Sequence, residues 1–118
     1  MNYVDGFVLA VKKDKIEAYR QIAQDAGKIW MDHGALEYKE CVLEDLNDPD
    51  FCMTFPKGFQ AQEDEIVVFA YVVYKSREHR DDVNKKIHAD PRMQEMPKEM
   101  PFDMKRMCYG GFQTIVSY

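Results

Sequence analysis

An α+β fold built on an antiparallel sheet is the class the sequence predicts, and three observations predict it. Ile66 to Tyr74 is almost entirely β-branched or aromatic and holds no Gly or Pro; it is too short for a membrane span and too β-prone for a helix. Tyr3 to Val11 has the same character, and two further strand-like stretches flank a pair of helical patterns. The resulting order is strand, helix, strand, strand, helix, strand.

The first strand, Tyr3 to Val11, puts Tyr3, Asp5, Phe7, Leu9 and Val11 on one face and Val4, Gly6, Val8 and Ala10 on the other. Asp5 is the odd member of its row. In a central strand that carboxylate needs a partner or a pocket, whereas at an exposed strand start it needs neither. Asp14 followed by Glu17 reads as a capping box, so a helix is expected from about Lys15. Ile16, Tyr19, Ala23, Ala26 and Trp30 form its apolar stripe. His33-Gly34 stops it, with Gly34 suited to a left-handed conformation and His33 near the negative end of the helix dipole.

Ala35 to Leu43 is expected to form a second strand, with Leu36, Tyr38, Glu40 and Val42 on one face. Charges at Glu37, Lys39 and Glu40 suit an edge strand protected against aggregation. Glu44 to Glu65 is irregular but carries Phe51, Phe55 and Phe59, so it reads as an ordered segment that packs against something, a second chain included. In the third strand Ile66, Val68, Ala70, Val72 and Tyr74 alternate with Val67, Phe69, Tyr71 and Val73, and neither row is polar. Ser76 caps a second helix that reaches about Ala89, with Val83, Ile87 and the stem of Arg80 turned inward. Residues 93–107 hold five of the eight methionines among prolines, a pattern that fits adaptable packing or a flap over an apolar site. Met107 to Ser117 is the last strand, and Gly110-Gly111 inside it implies a bulge or a close approach.

A chain of 118 residues, 46% hydrophobic and 31% charged, is a single domain spanning 1–118 of ordinary globular composition. Its net charge of -5 opposes a nucleic-acid partner. No signal-peptide or membrane-span pattern is seen, and a cytoplasmic location is the default expectation. Three cysteines, Cys41, Cys52 and Cys108, lack C-x-x-C spacing and read as reduced packing residues, buried or half-buried. Right-handed crossovers turn the element order into a ferredoxin-like βαββαβ unit with both helices on one sheet face. The other face is then bare and apolar, which predicts a homodimer formed face to face.

Tyr3-Val4-Asp5-Gly6-Phe7, Trp30 through His33-Gly34-Ala35-Leu36-Glu37-Tyr38, and Met100-Pro101-Phe102-Asp103 with Arg106 to Phe112 resemble the YbaA-like family of uncharacterised bacterial proteins, domain-of-unknown-function family 1428. The likeness extends over essentially the whole chain. It implies membership of the dimeric α/β barrel superfamily, in which two such sheets pack face to face. Relatives there include cofactor-independent quinol monooxygenases, haem-degrading monooxygenases, chlorite dismutase-like proteins and stress-induced proteins. It implies no catalytic residue set.

Two functions remain in view. As a binding protein the chain would hold a small apolar or aromatic molecule between sheet and helices. As an enzyme it would be a cofactor-independent monooxygenase or isomerase acting on a quinol-like substrate. Trp30 and Tyr71 would then hold the ring, with Asn84 and Tyr109 as further ligand contacts, and His33 or His79 would move a proton. Asp5 with Arg106 would polarise a carbonyl, or in the binding protein neutralise each other. Three histidines without close ligand spacing give no ground for zinc or haem, and no cofactor is assigned.

Overall fold

The computed structural model describes residues 1–118. Strand β1 (Tyr3–Lys12) leads through a 3-10 turn (Lys13–Lys15) into helix α1 (Ile16–Asp32), then strand β2 (Glu37–Val42). A short helix α2 (Phe55–Phe59) precedes strand β3 (Glu65–Tyr74). Helices α3 (Arg77–His88) and α4 (Pro91–Gln94), a second 3-10 turn (Met104–Arg106) and strand β4 (Cys108–Gln113) complete the chain. The sheet order is β2-β3-β1-β4, antiparallel throughout. The two long strands sit at its centre, paired without a break from Tyr3↔Tyr74 to Lys12↔Glu65.

Both long helices lie on one face. Ile29 of α1 and Val83 and Ile87 of α3 pack with Val72 and Tyr74, while Tyr19 and Ala23 of α1 pack with Leu9, Val11 and Val68. Each strand row keeps its period-2 spacing, and Tyr19 and Ala23 belong to the stripe expected on α1, to which the structure adds Ile29. Helix α1 ends as its sequence requires, with Gly34 at φ +105°. Ser76 caps α3 by accepting from the His79 amide at 3.1 Å. Asp90 caps α4 from the Arg92 amide at 2.9 Å, with Pro91 at the first helical position.

Three expectations are corrected, and one is decided between its alternatives. Asp14 and Glu17 form no capping box: β1 runs on to Lys12, whose ammonium reaches Asp64 at 2.9 Å, so a 3-10 turn absorbs Asp14 and α1 starts without a side-chain cap. Of the two readings of the glycine pair, the close approach holds and the bulge does not: β1 and β4 stay in one-to-one register, and a Cβ on Gly111 would meet the Tyr3 ring. All three cysteines are exposed, since Cys41 and Cys108 fall on edge strands and Cys52 in the connection before α2. The second sheet face is not wholly bare either. The connection before β3 folds back over one end of it, Phe55 meets the Phe69 ring at 6.1 Å, and the cross-strand partners Ala10 and Val67 are buried there. The rest of that face stays open around Val4, Val8, Phe69, Val73 and Phe112, a wide concavity of about 690 Å³.

No helix is long and apolar enough to cross a membrane. Gly27, buried in α1, is where the helix approaches β2. A Cβ there would lie 2.8 Å from two carbons of the Tyr38 ring. Gly27→Ala gains up to about 1 kcal/mol of helix propensity and loses more to overpacking, so a net loss of about 1–2 kcal/mol is expected in urea unfolding.

Candidate functional site

The helix-covered face holds a half-open cavity of about 130 Å³ between the sheet and α1. Phe7 and Leu9 of β1, Val72 of β3 and Tyr38 of β2 form the sheet side, and Ile22, Ala26 and Trp30 form the helix side. Met100, Phe102 and Met107 close the remaining wall. The methionine-rich stretch is therefore an ordered wall, tied to the sheet by a bridge between Phe102 and Val11.

One side chain on this wall carries charge. Glu40 accepts from the Tyr19 hydroxyl at 2.6 Å and, through its other oxygen, from the Tyr38 hydroxyl at 2.7 Å. The bridge spans α1 and β2 and separates the inner cavity from an outer groove of about 380 Å³ shared by Tyr19, Tyr38, Glu40 and Arg20. Burial first, and then the Glu40 carboxylate, push both phenols well above the ordinary tyrosine range. A raised phenol keeps its proton when folded and sheds it more readily when unfolded. The associated stability is full below about pH 10 and is lost as pH rises beyond it. Phenolate absorbance from Tyr19 and Tyr38 should accordingly appear only as the fold is lost; their smooth ionisation near pH 10 in the folded chain would contradict this.

Trp30 is pinned from the far side, where its indole N–H donates to the Tyr74 hydroxyl at 3.0 Å. Beyond Tyr74 sits Asp5, 2% exposed, as a central strand demands of that odd carboxylate. Its partner is Arg80, not Arg106. The Arg80 guanidinium donates to Asp5 at 2.7 Å and to the Tyr109 hydroxyl at 2.8 Å, and it lies over the Tyr3 ring at 4.9 Å. Tyr109 in turn donates to Asp5 at 3.0 Å. Burial and the Asp5 carboxylate raise both Tyr74 and Tyr109.

The other expected site residues lie elsewhere. Arg106 pairs with Glu65 at 2.7 Å and covers the Phe59 ring, fastening the α2 connection. His33 bonds Asp90 at 2.7 Å in a cluster with Arg92 and Asp32 that ties the end of α1 to the α3–α4 junction. Hydrogen bonds from Arg92 and His33 hold the Asp90 carboxyl well below its usual range. His79 accepts the Lys75 amide at 2.9 Å in the turn before α3. Tyr71 borders both the cavity and the open face; its hydroxyl donates to Glu37 at 3.2 Å and its ring neighbours Phe69. Asn84 is half-buried on α3 and does not line the cavity. Of the expected contacts, Trp30 and Tyr71 line this cavity, and Glu40 was missed. The signal for it was a lone carboxylate in the row Leu36, Tyr38, Glu40, Val42, which edge protection explained too readily.

The family described as "Protein of unknown function (DUF1428)" matches residues 2–104. Over 117 residues the chain is 48% identical to "Uncharacterized protein YbaA" of Escherichia coli (strain K12), with 98% of each chain covered. The protein of the same name from Shigella flexneri matches to the same extent. Among solved structures, an uncharacterized NIPSNAP domain protein from Burkholderia xenovorans superposes with a TM-score of 0.60 over 95% of this chain and 93% of its own. At 16% identity that likeness concerns the fold alone. With the family pattern spanning most of the chain and near-half identity running end to end, the chain belongs to the DUF1428 family.

Proposed function

We propose that this protein binds a small apolar or single-ring molecule in the cavity between sheet and helices, and that it does so as a homodimer joined through the open sheet face. The observation that carries the reading is the cavity itself, about 130 Å³ with walls apolar but for Glu40. A fully apolar cavity of roughly 150 Å³ is large enough to take up benzene, so a single ring is the size class this space fits. Binding ranks ahead of proton transfer to a quinol-like substrate because His33, His79, Asp5 and Arg106 are all engaged outside the cavity. The dimer is supported by the apolar row of Val4, Val8, Phe69, Val73 and Phe112 around the open concavity, in which both phenylalanine rings are exposed. A face-to-face pair is also what the dimeric α/β barrel likeness implies.

Trp30 is the single tryptophan, so intrinsic fluorescence reports from the cavity wall. Titration with toluene should give a saturable change in wild type. Ala26→Leu, which fills space on the helix side, should abolish it while leaving the fold intact. No saturable change, or an Ala26→Leu variant that binds as wild type does, would overturn the reading.

A further inference from the structure

Glu40 stands in the cavity wall without a cationic partner, since none of the chain's ion pairs includes it. The basic residue on the outer groove, Arg20, is paired with Glu17 at 3.2 Å with its side chain 69% exposed. Each Glu40 oxygen accepts one phenol hydrogen bond. A carboxylate offers about four lone-pair sites, so each oxygen keeps room for a further donor. The two phenols fix its position, and Trp30 lines the same cavity with its ring 6.2 Å from that of Tyr38. Aromatic faces around a fixed carboxylate stabilise an organic cation twice over, by the ring quadrupoles and by a charge-assisted hydrogen bond. The same carboxylate repels a carboxylic or phosphoric acid.

We propose, building on the apolar-cavity reading above, that the ligand is a small organic ammonium ion. Its compact body, a single ring or a branched alkyl group of that size, lies in the inner cavity against Trp30 and Phe102, and its nitrogen meets Glu40. Glu40 also lines the outer groove, so it can be reached from either side of the bridge. The site thereby selects charge at the head and size at the body.

Three probes with one ring separate charge from size: benzylammonium, benzyl alcohol and benzoate at neutral pH, titrated against wild type and Glu40→Gln by Trp30 fluorescence. Wild type should bind benzylammonium at least about 10-fold more tightly than benzyl alcohol, a gap of about 1.4 kcal/mol, and should not bind benzoate. Glu40→Gln should keep benzyl alcohol and lose the preference. Equal binding of the ammonium and the alcohol by wild type, or a preference that persists in Glu40→Gln, overturns the ammonium assignment and leaves the apolar cavity standing. Silence from all three probes and from toluene overturns both. Should Glu40→Gln fail to fold, the wild-type series decides the charge preference by itself.

Discussion

Replacing Arg80 with alanine is expected to cost about 3 kcal/mol of stability, the low end for breaking a buried ion pair by removing one partner. Asp5 sits in the central strand pair, and the guanidinium that reaches it from α3 is itself nearly closed to water, with side chains 4% and 11% exposed. Without Arg80, Asp5 is left with neutral phenol donors, the Tyr109 hydroxyl at 3.0 Å and that of Tyr74 beside it. Lost with the ion pair are the guanidinium's contact with the Tyr3 ring and its second bond to Tyr109. For a domain of this length the midpoint of thermal unfolding should fall by about 10 °C, measured at one fixed protein concentration because association contributes to apparent stability. Asp5→Asn in the Arg80→Ala background should recover part of the loss, since it removes the uncompensated charge. A single-variant loss below about 1 kcal/mol would show that the cluster is dispensable.

The second large effect concerns the open face. Phe69 and Phe112 are 44% and 59% exposed, respectively, and both border its concavity. If a second copy covers them, an aspartate at either position places an unpaired charge in a buried interface. Phe112→Asp is expected to weaken dimerisation about 100-fold or more, the magnitude typical of a hot spot. Phe69→Asp should do the same and also destabilise the subunit, because Phe69 contacts the Phe55 ring of its own chain. Met31→Asp, at an exposed position on α1, should leave assembly unchanged. Sedimentation equilibrium across a range of concentrations checks all three.

The parts of this fold legible in the sequence are those encoded by short periods. Alternation in Ile66 to Tyr74 sorts the two rows without saying which one the helices cover, and the spacing of Tyr19 and Ala23 locates the buried stripe of α1. Gly34 and Ser76 end and begin helices for local reasons, which a sequence states directly. Long-range pairings were not legible. Asp5 and Arg80 meet across 75 positions because α3 returns over β1, and nothing local distinguishes Arg80 from Arg106 as the partner. Glu40 was masked by its neighbours: Glu37 and Lys39 beside it are ordinary edge charges, while one residue later the pleat turns Glu40 toward Tyr19. The five-residue α2 is too short to carry a period, and its internal Gly58 argues against helix locally.

The methionines supply the most direct measurement. Met100 and Met107 line the cavity, whereas Met53 borders the open face and Met31 and Met104 are exposed. In an NMR sample with labelled methionine methyl groups and bound toluene, nuclear Overhauser contacts between ring protons and methyls locate the ligand. The structure predicts contacts at Met100 and Met107 and none at Met31, Met53 or Met104. Contacts confined to Met53, or none at any methionine with toluene bound, would contradict a ligand site between sheet and helices.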